Sequence, residues 1–326
     1  MKDLLRVELT RLRWRRAVVV LVAACLLVPA AIWVGTAWST RPFSDDDVAA
    51  AEQQAARDAD QPWVRREIRK CEKSPENYAP PSEDVDCTEL LTPTVANYLY
   101  RPTLDVSSVL RDQGVAVVTI LAVLVLILGT TFVGHDWNTG SISNQLLFEP
   151  RRRRVWLSKA LAVVLTGLVV GAVALLAFWG ATAALAAHRD IAVPAAQWAD
   201  VRATTARGIV LVALAGLLGY ALTMLFRSTV ATLGVGLGIA AGGSLGILAL
   251  VGEGGLRWLL PSNALAVLED GFDYYVWNPA CDSGYQTGAA SCMRTITLVD
   301  GSLYLGVVLA VVVAASLWSF QRRDLP

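Results

Sequence analysis

The sequence predicts an all-α, polytopic membrane protein with six transmembrane helices and cytoplasmic N- and C-termini. Three observations carry that prediction. Hydrophobic residues make up 55% of the 326-residue chain and mean hydropathy is +0.48, a composition outside the range of soluble domains. Six uncharged stretches, near 17–38, 114–134, 157–187, 207–226, 230–252 and 302–320, are long enough to cross a hydrocarbon core about 30 Å thick, which takes ~20 helical residues. Finally, the charged residues sort by side. The N-terminus, the 135–159 loop, Arg227 and the C-terminal tail carry 14 Lys/Arg against 5 Asp/Glu, whereas 39–113, 188–207 and 253–301 carry 14 against 23. Orientation follows lysines and arginines close to the membrane ends of short loops. Arg11, Arg13, Arg15 and Arg16 precede the first span, Arg151–Arg154 precede the third, and Arg322 and Arg323 follow the last. Those segments belong inside, and the chain belongs in the cell membrane.

In chain order, residues 1–16 read as an interfacial amphipathic helix. Leu4, Leu5, Leu9 and Leu12 fall towards one side with arginines around the rest, an arrangement drawn to anionic membrane lipids. Residues 39–113 form a large extracellular loop. It opens on Asp45, Asp46 and Asp47, holds a helix around 46–59, and turns proline-rich at Pro75, Pro80, Pro81 and Pro93. It is too polar to build a large core, so cross-linking matters to its order. Cys71 and Cys87 lie in this loop, Cys281 and Cys292 in the third outer loop, and Cys25 in a span. Two pairs on the oxidising side point to disulfides. Of the three pairings, Cys71–Cys87 with Cys281–Cys292 is favoured because each bond stays within one loop. A loop of ~15 residues closed in this way gains about 3 kcal/mol.

Between the second and third spans lies the cytoplasmic loop 135–159. Asp136 and the turn Asn138–Ser141 start a short helix, with Asn138 or Ser141 as cap. Ile142, Leu146 and Leu147 cluster towards one face, Pro150 helps end the helix, and Arg151–Arg154 and Lys159 follow. Topology alone explains the arginines. It does not explain a patterned apolar helix standing clear of the membrane, which is the shape of a docking element for a groove in a partner.

The fifth span carries Gly234, Gly238, Gly242 and Gly246 at steps of four, a stripe that lets helix backbones approach closely, within the chain or across a dimer interface. The third outer loop, 253–301, begins with an apolar stretch, Leu256–Leu268, that can re-enter the membrane partway, with Pro261 breaking it.

Several chemistries are excluded. The middles of the spans hold essentially no ionisable residues, which argues against proton-coupled transport. Gly242-Gly-Ser-Leu-Gly246 fits a nucleophile-elbow pattern, but in the middle of a span and away from His135 and His188 it lacks the strand-to-helix turn and the base. There is no His-Glu-x-x-His, no Cys-x-x-Cys and no phosphate-binding Gly-x-x-x-x-Gly-Lys-Ser/Thr. The chain is therefore expected to be no enzyme, to hold no cofactor and to bind no nucleic acid.

On these residues the chain resembles the ABC-2 type transporter permeases. In that family the first cytoplasmic loop carries an acidic residue, a Gly-Thr pair, a leucine-rich short helix, a proline, basic residues and a lysine in that order. Asp136, Gly140-Ser141, Leu146-Leu147, Pro150, Arg151–Arg154 and Lys159 match in order and approximate spacing. Asp stands where Glu is commoner and Ser where Thr is commoner. The specific motif covers about 25 residues; the basic N-terminal helix, six spans and re-entrant region resemble the family topologically. The resemblance implies the transmembrane domain, residues 1–326, of an exporter for an amphipathic or hydrophobic substrate. Its partners would be a separate ABC ATPase subunit holding ATP and Mg and a second permease, in a homodimer or heterodimer. Asp136, Gly140, Leu146, Leu147, Pro150, Arg151, Arg154 and Lys159 would then be the ATPase-coupling positions. The alternative is a membrane-embedded sensor or accessory protein that binds a ligand or partner through its extracellular loops.

Overall fold

The computed structural model describes residues 2–78, 86–277 and 292–322. Residues 1–33 with 105–326 form one compact unit and residues 34–104 another. Among the described residues, six helical segments are long and apolar enough to cross a membrane: Arg16–Ser39, Val106–Asn138, Arg152–His188, Ala195–Phe226, Thr229–Glu269 and Leu298–Arg322. By length and composition this is a multi-pass membrane protein.

The helices are α1 (Lys2–Arg13), α2 (Arg16–Ser39), α3 (Asp45–Ala59), α4 (Pro62–Lys73), α5 (Cys87–Leu91), α6 (Val106–Val109), α7 (Val115–Asn138), α8 (Ser141–Phe148), α9 (Arg152–His188), α10 (Ala195–Phe226), α11 (Thr229–Leu237), α12 (Ser244–Val251), α13 (Leu260–Glu269) and α14 (Leu298–Arg322). A two-stranded antiparallel ribbon, β1 (Phe272–Tyr275) with β2 (Met293–Ile296), pairs Phe272 with Ile296. This ribbon departs from the all-α expectation.

Glycine decides how the central helices pack. α10 lies against α7 and α9, and at its crossings the backbones touch. A Cβ added at Gly129 would sit 2.3 Å from the Gly216 carbonyl oxygen, and one at Gly219 would sit 2.3 Å from that of Leu126. One at Gly167 would be 2.9 Å from the Ala213 Cα. Any side chain there holds the helices apart, so the absence of one is what permits contact.

The glycine stripe of the fifth span behaves differently. No heavy atom lies within 4 Å of a Cβ placed at Gly234, Gly238, Gly242 or Gly246. Close packing within the described chain therefore does not account for these residues. The span is also not one regular helix, because a π-helical turn at Gly238–Gly243 separates α11 from α12.

The spans run further than the apolar runs alone indicated. α9 begins at Arg152, so three of the four arginines lie in its first turn rather than in a loop. α10 begins at Ala195 and takes up most of the expected 188–207 loop. Pro261 does not break its segment. It occupies the first turn of α13, where its missing N–H would have had no helical partner anyway. Before it, the 3-10 segment Gly252–Trp258 folds back on α12, and α13 then packs on α14, with Gly301 set closely against the Asn263 carbonyl.

In the unit 34–104, the expected helix around 46–59 is α3. Its capping box places the Ser44 hydroxyl on the Asp47 N–H and the Asp47 carboxylate on the Ser44 N–H. Cys71 and Cys87 form a disulfide that joins α4 to the start of α5. Tyr98 donates its hydroxyl to Asp58 at 2.7 Å and Tyr78 to Glu67 at 2.9 Å. The Ser44 N–H, followed by the Ser44 hydroxyl, holds the Asp47 carboxyl below its ordinary value. The Tyr98 hydroxyl, followed by the Gln54 amide, does the same for Asp58. The expected Cys281–Cys292 bond involves Cys281, outside the described residues; Cys292 itself is buried.

Candidate functional site at one end of the helix bundle

The N-terminal helix, α8, the end of α7, the beginning of α9, the α10–α11 turn and the end of α14 meet at one end of the bundle. α7 continues to Asn138, which places Asp136 in its last turn, inside a helix rather than in the loop expected to start at 135. Two residues on, Gly140 adopts φ +66°, a left-handed conformation that costs glycine nothing. It occupies the N-cap position of α8 in place of Asn138 or Ser141 and makes no side-chain cap.

Lys159 lies two turns into α9 and is completely buried. Its Nζ donates to Asp136 Oδ2 at 2.7 Å and to Glu8 Oε2 at 2.9 Å, and both carboxylates are also fully buried. Arg15, between α1 and α2, donates to Asp136 and to the Phe132 carbonyl. The Arg15 guanidinium and the Lys159 ammonium also lie over the Phe132 ring, at 4.8 and 5.4 Å from its centroid. Lys159 and Arg15 thus offset the two buried carboxylates, with the partly exposed Arg11 3.8 Å from Glu8 at the rim, and such compensation is the condition under which charges can be buried at all.

α8 is tied to the same cluster. Gln145 donates its amide to Glu8 Oε1 at 2.7 Å, and Arg11 donates to the Ser141 hydroxyl. Ile142 is buried, and Leu146 packs with it against a core that includes Leu12, Phe132, Trp156 and Phe320. Leu147 and Phe148 point the other way and are 81% and 90% exposed. The two leucines that the sequence grouped on one face thus separate, with Leu146 an anchor and Leu147 a surface residue.

Further contacts close the end of the bundle. Trp156 Nε1 donates to Ser316 Oγ at 3.2 Å, Tyr220 donates its hydroxyl to the Trp156 carbonyl at 2.8 Å, and Arg152 donates to the Phe320 carbonyl at 3.3 Å. Arg227 lies over the Trp137 ring, which meets Phe320 edge-on. Pro150, Arg151 and Arg154 are exposed, so a basic edge flanks Leu147 and Phe148.

Of the residues singled out from sequence, Asp136 and Lys159 come into direct contact, and Gly140 and Leu146 shape and seat the short helix. Glu8, Arg15, Gln145 and Phe148 were not anticipated. One signal was available for Glu8, which lies among Leu4, Leu5 and Leu12 on the face of α1 turned towards the protein. An acidic residue on the apolar stripe of an otherwise basic helix calls for a buried cation, and Lys159 supplies it. No protein-family model, curated protein or solved structure matches the chain. Chemically, this arrangement is a charge-locked junction. Among the described residues no group of three or more His, Cys, Asp or Glu is placed to hold a metal ion.

Proposed function

We propose that this chain is the transmembrane subunit of an ATP-driven exporter of the ABC-2 type, with α8 as the helix through which a separate ATPase acts. One observation carries the reading: α8 leaves Leu147 and Phe148 uncovered by the rest of the chain while its other face is bonded to α1 and packed on the bundle. An exposed apolar pair beside a basic edge is a docking surface, and the hydrogen bonds behind it are a route for force. In this reading the end of the bundle bearing α1 and α8 faces the cytoplasm. Closure of an ATPase pair pushes α8, and the push passes through Gln145 and Glu8 to Lys159 and so to α9, and through Arg15 and Asp136 to α7. ATP and Mg stay in the partner. The free glycine face of the fifth span then suits pairing with a second permease, and the exported substrate is amphipathic or hydrophobic.

Purification in mild detergent tests this. A soluble subunit carrying its own phosphate-binding loop should copurify, and its ATP hydrolysis should change when this chain is present. Isolation of the chain without any ATPase, from cells that express the neighbouring genes, would contradict the reading.

A further inference from the structure

The arginines at the end of α1 and the start of α2 divide into two pairs. Arg11 and Arg15 turn inwards and are used up by Glu8, Ser141, Asp136 and the Phe132 carbonyl. Arg13 and Arg16 turn outwards, are exposed, and have neither an ion pair nor a hydrogen bond from their side chains among the described residues. Between them stands Trp14, 78% exposed. Together with Val19 and Val20 these three residues bound an open groove of about 460 Å³. Its floor and mouth differ in chemistry. Val19 and Val20 belong to the membrane-span candidate Arg16–Ser39 and are 53% and 67% exposed. In a bilayer that surface is covered by acyl chains. The mouth, one turn earlier, holds two guanidiniums without any acidic side chain lining it.

We propose that this elbow binds one anionic phospholipid, with its phosphate between Arg13 and Arg16 and an acyl chain along Val19 and Val20. Guanidinium offers paired N–H donors that match phosphate oxygens, and an indole at the end of a span sits naturally at headgroup depth. Charge selects the class of lipid. A zwitterionic headgroup would bring a cation towards two unpaired arginines, whereas an anionic one brings none. The bound lipid would fix the end of α1, the helix whose Glu8 holds Lys159. The inference is independent of the exporter reading and requires only that α2 spans the bilayer.

Native mass spectrometry of the purified chain with phosphatidylglycerol and with phosphatidylcholine tests it. Arg13→Gln with Arg16→Gln should weaken phosphatidylglycerol binding roughly thirtyfold, taking about 1 kcal/mol for each basic residue near an anionic surface, and leave phosphatidylcholine unchanged. Arg13→Lys with Arg16→Lys keeps the charge but loses the paired donors, and should bind phosphatidylglycerol more tightly than the glutamine variant and less tightly than wild type. Arg66→Gln with Arg69→Gln, on exposed residues of α4, removes the same charge elsewhere and should change nothing. Equal loss in that control, equal loss of both lipids, or undiminished phosphatidylglycerol binding in the first variant would each overturn the proposal.

Discussion

Lys159 and Asp136 form an ion pair with Nζ 2.7 Å from Oδ2 and neither side chain exposed, joining α9 to the end of α7. Removing one partner of a buried pair leaves an uncompensated charge, which typically costs about 3–5 kcal/mol. Lys159→Met should therefore unfold in detergent at markedly lower temperature or denaturant concentration than wild type. Adding Glu8→Gln should recover part of the loss, because it removes the buried carboxylate that lost its closest cation, while Asp136 keeps Arg15 and the partly exposed Arg11 keeps Ser141. If the double variant is the less stable of the two, the charge-balance account is wrong.

Neighbouring positions on α8 should separate by phenotype. Leu146→Asp places a charge in the core against which Leu146 packs and should reduce folded yield. Leu147→Asp, at an 81% exposed position, should leave folding unaffected, since surface changes usually fall within about 0.5 kcal/mol. Gel filtration and thermal unfolding of the two variants check this directly.

Gly219→Ala should destabilise the bundle by about 1–3 kcal/mol, the usual range for overpacking, because its Cβ would meet the Leu126 carbonyl at 2.3 Å. Gly238→Ala has open space around it and should be neutral in the isolated chain. A neutral Gly219→Ala would refute the close α7–α10 crossing.

The unit 34–104 should respond to reduction and to acid. Breaking Cys71–Cys87, a separation of 16 residues, should cost it about 3 kcal/mol on the chain-entropy account. Asp47 and Asp58 both have folded-state values below the ordinary 3.8. Their stabilisation is complete above that value and is lost as pH falls through the lowered ones. Hydrogen-exchange protection of residues 45–73, corrected for the intrinsic rate at each pH, should thus be unchanged between pH 7 and pH 5 and fall below about pH 4.

How much of this was legible in the sequence depended on the range of the interaction. The six apolar runs were plain because hydropathy is a local property. Their ends were not, since Arg152–Arg154 and Ala195–Ala206 are helical although too polar or charged to count as apolar. α3 and the Cys71–Cys87 bond each lie within one segment and were accordingly expected, although the Ser44 cap was not anticipated. Asp136 and Lys159 were marked out by resemblance, but the contact of Lys159 with Glu8 spans 151 residues and no local pattern encodes it. Glycine misled for the same reason. Regular spacing drew attention to Gly234–Gly246, whereas Gly129, Gly216 and Gly219 matter through what another helix places opposite them. The β1–β2 ribbon joins two short strands across a long intervening segment, again a non-local pairing.

The central claim is that a separate ATPase grips α8, and a photo-crosslinking amino acid at position 148 in intact membranes tests it most directly. The predicted result is an adduct with a subunit that carries a phosphate-binding loop, altered in yield by ATP and abolished by Leu147→Asp. No adduct with an ATPase, or an adduct unaffected by Leu147→Asp, would contradict it.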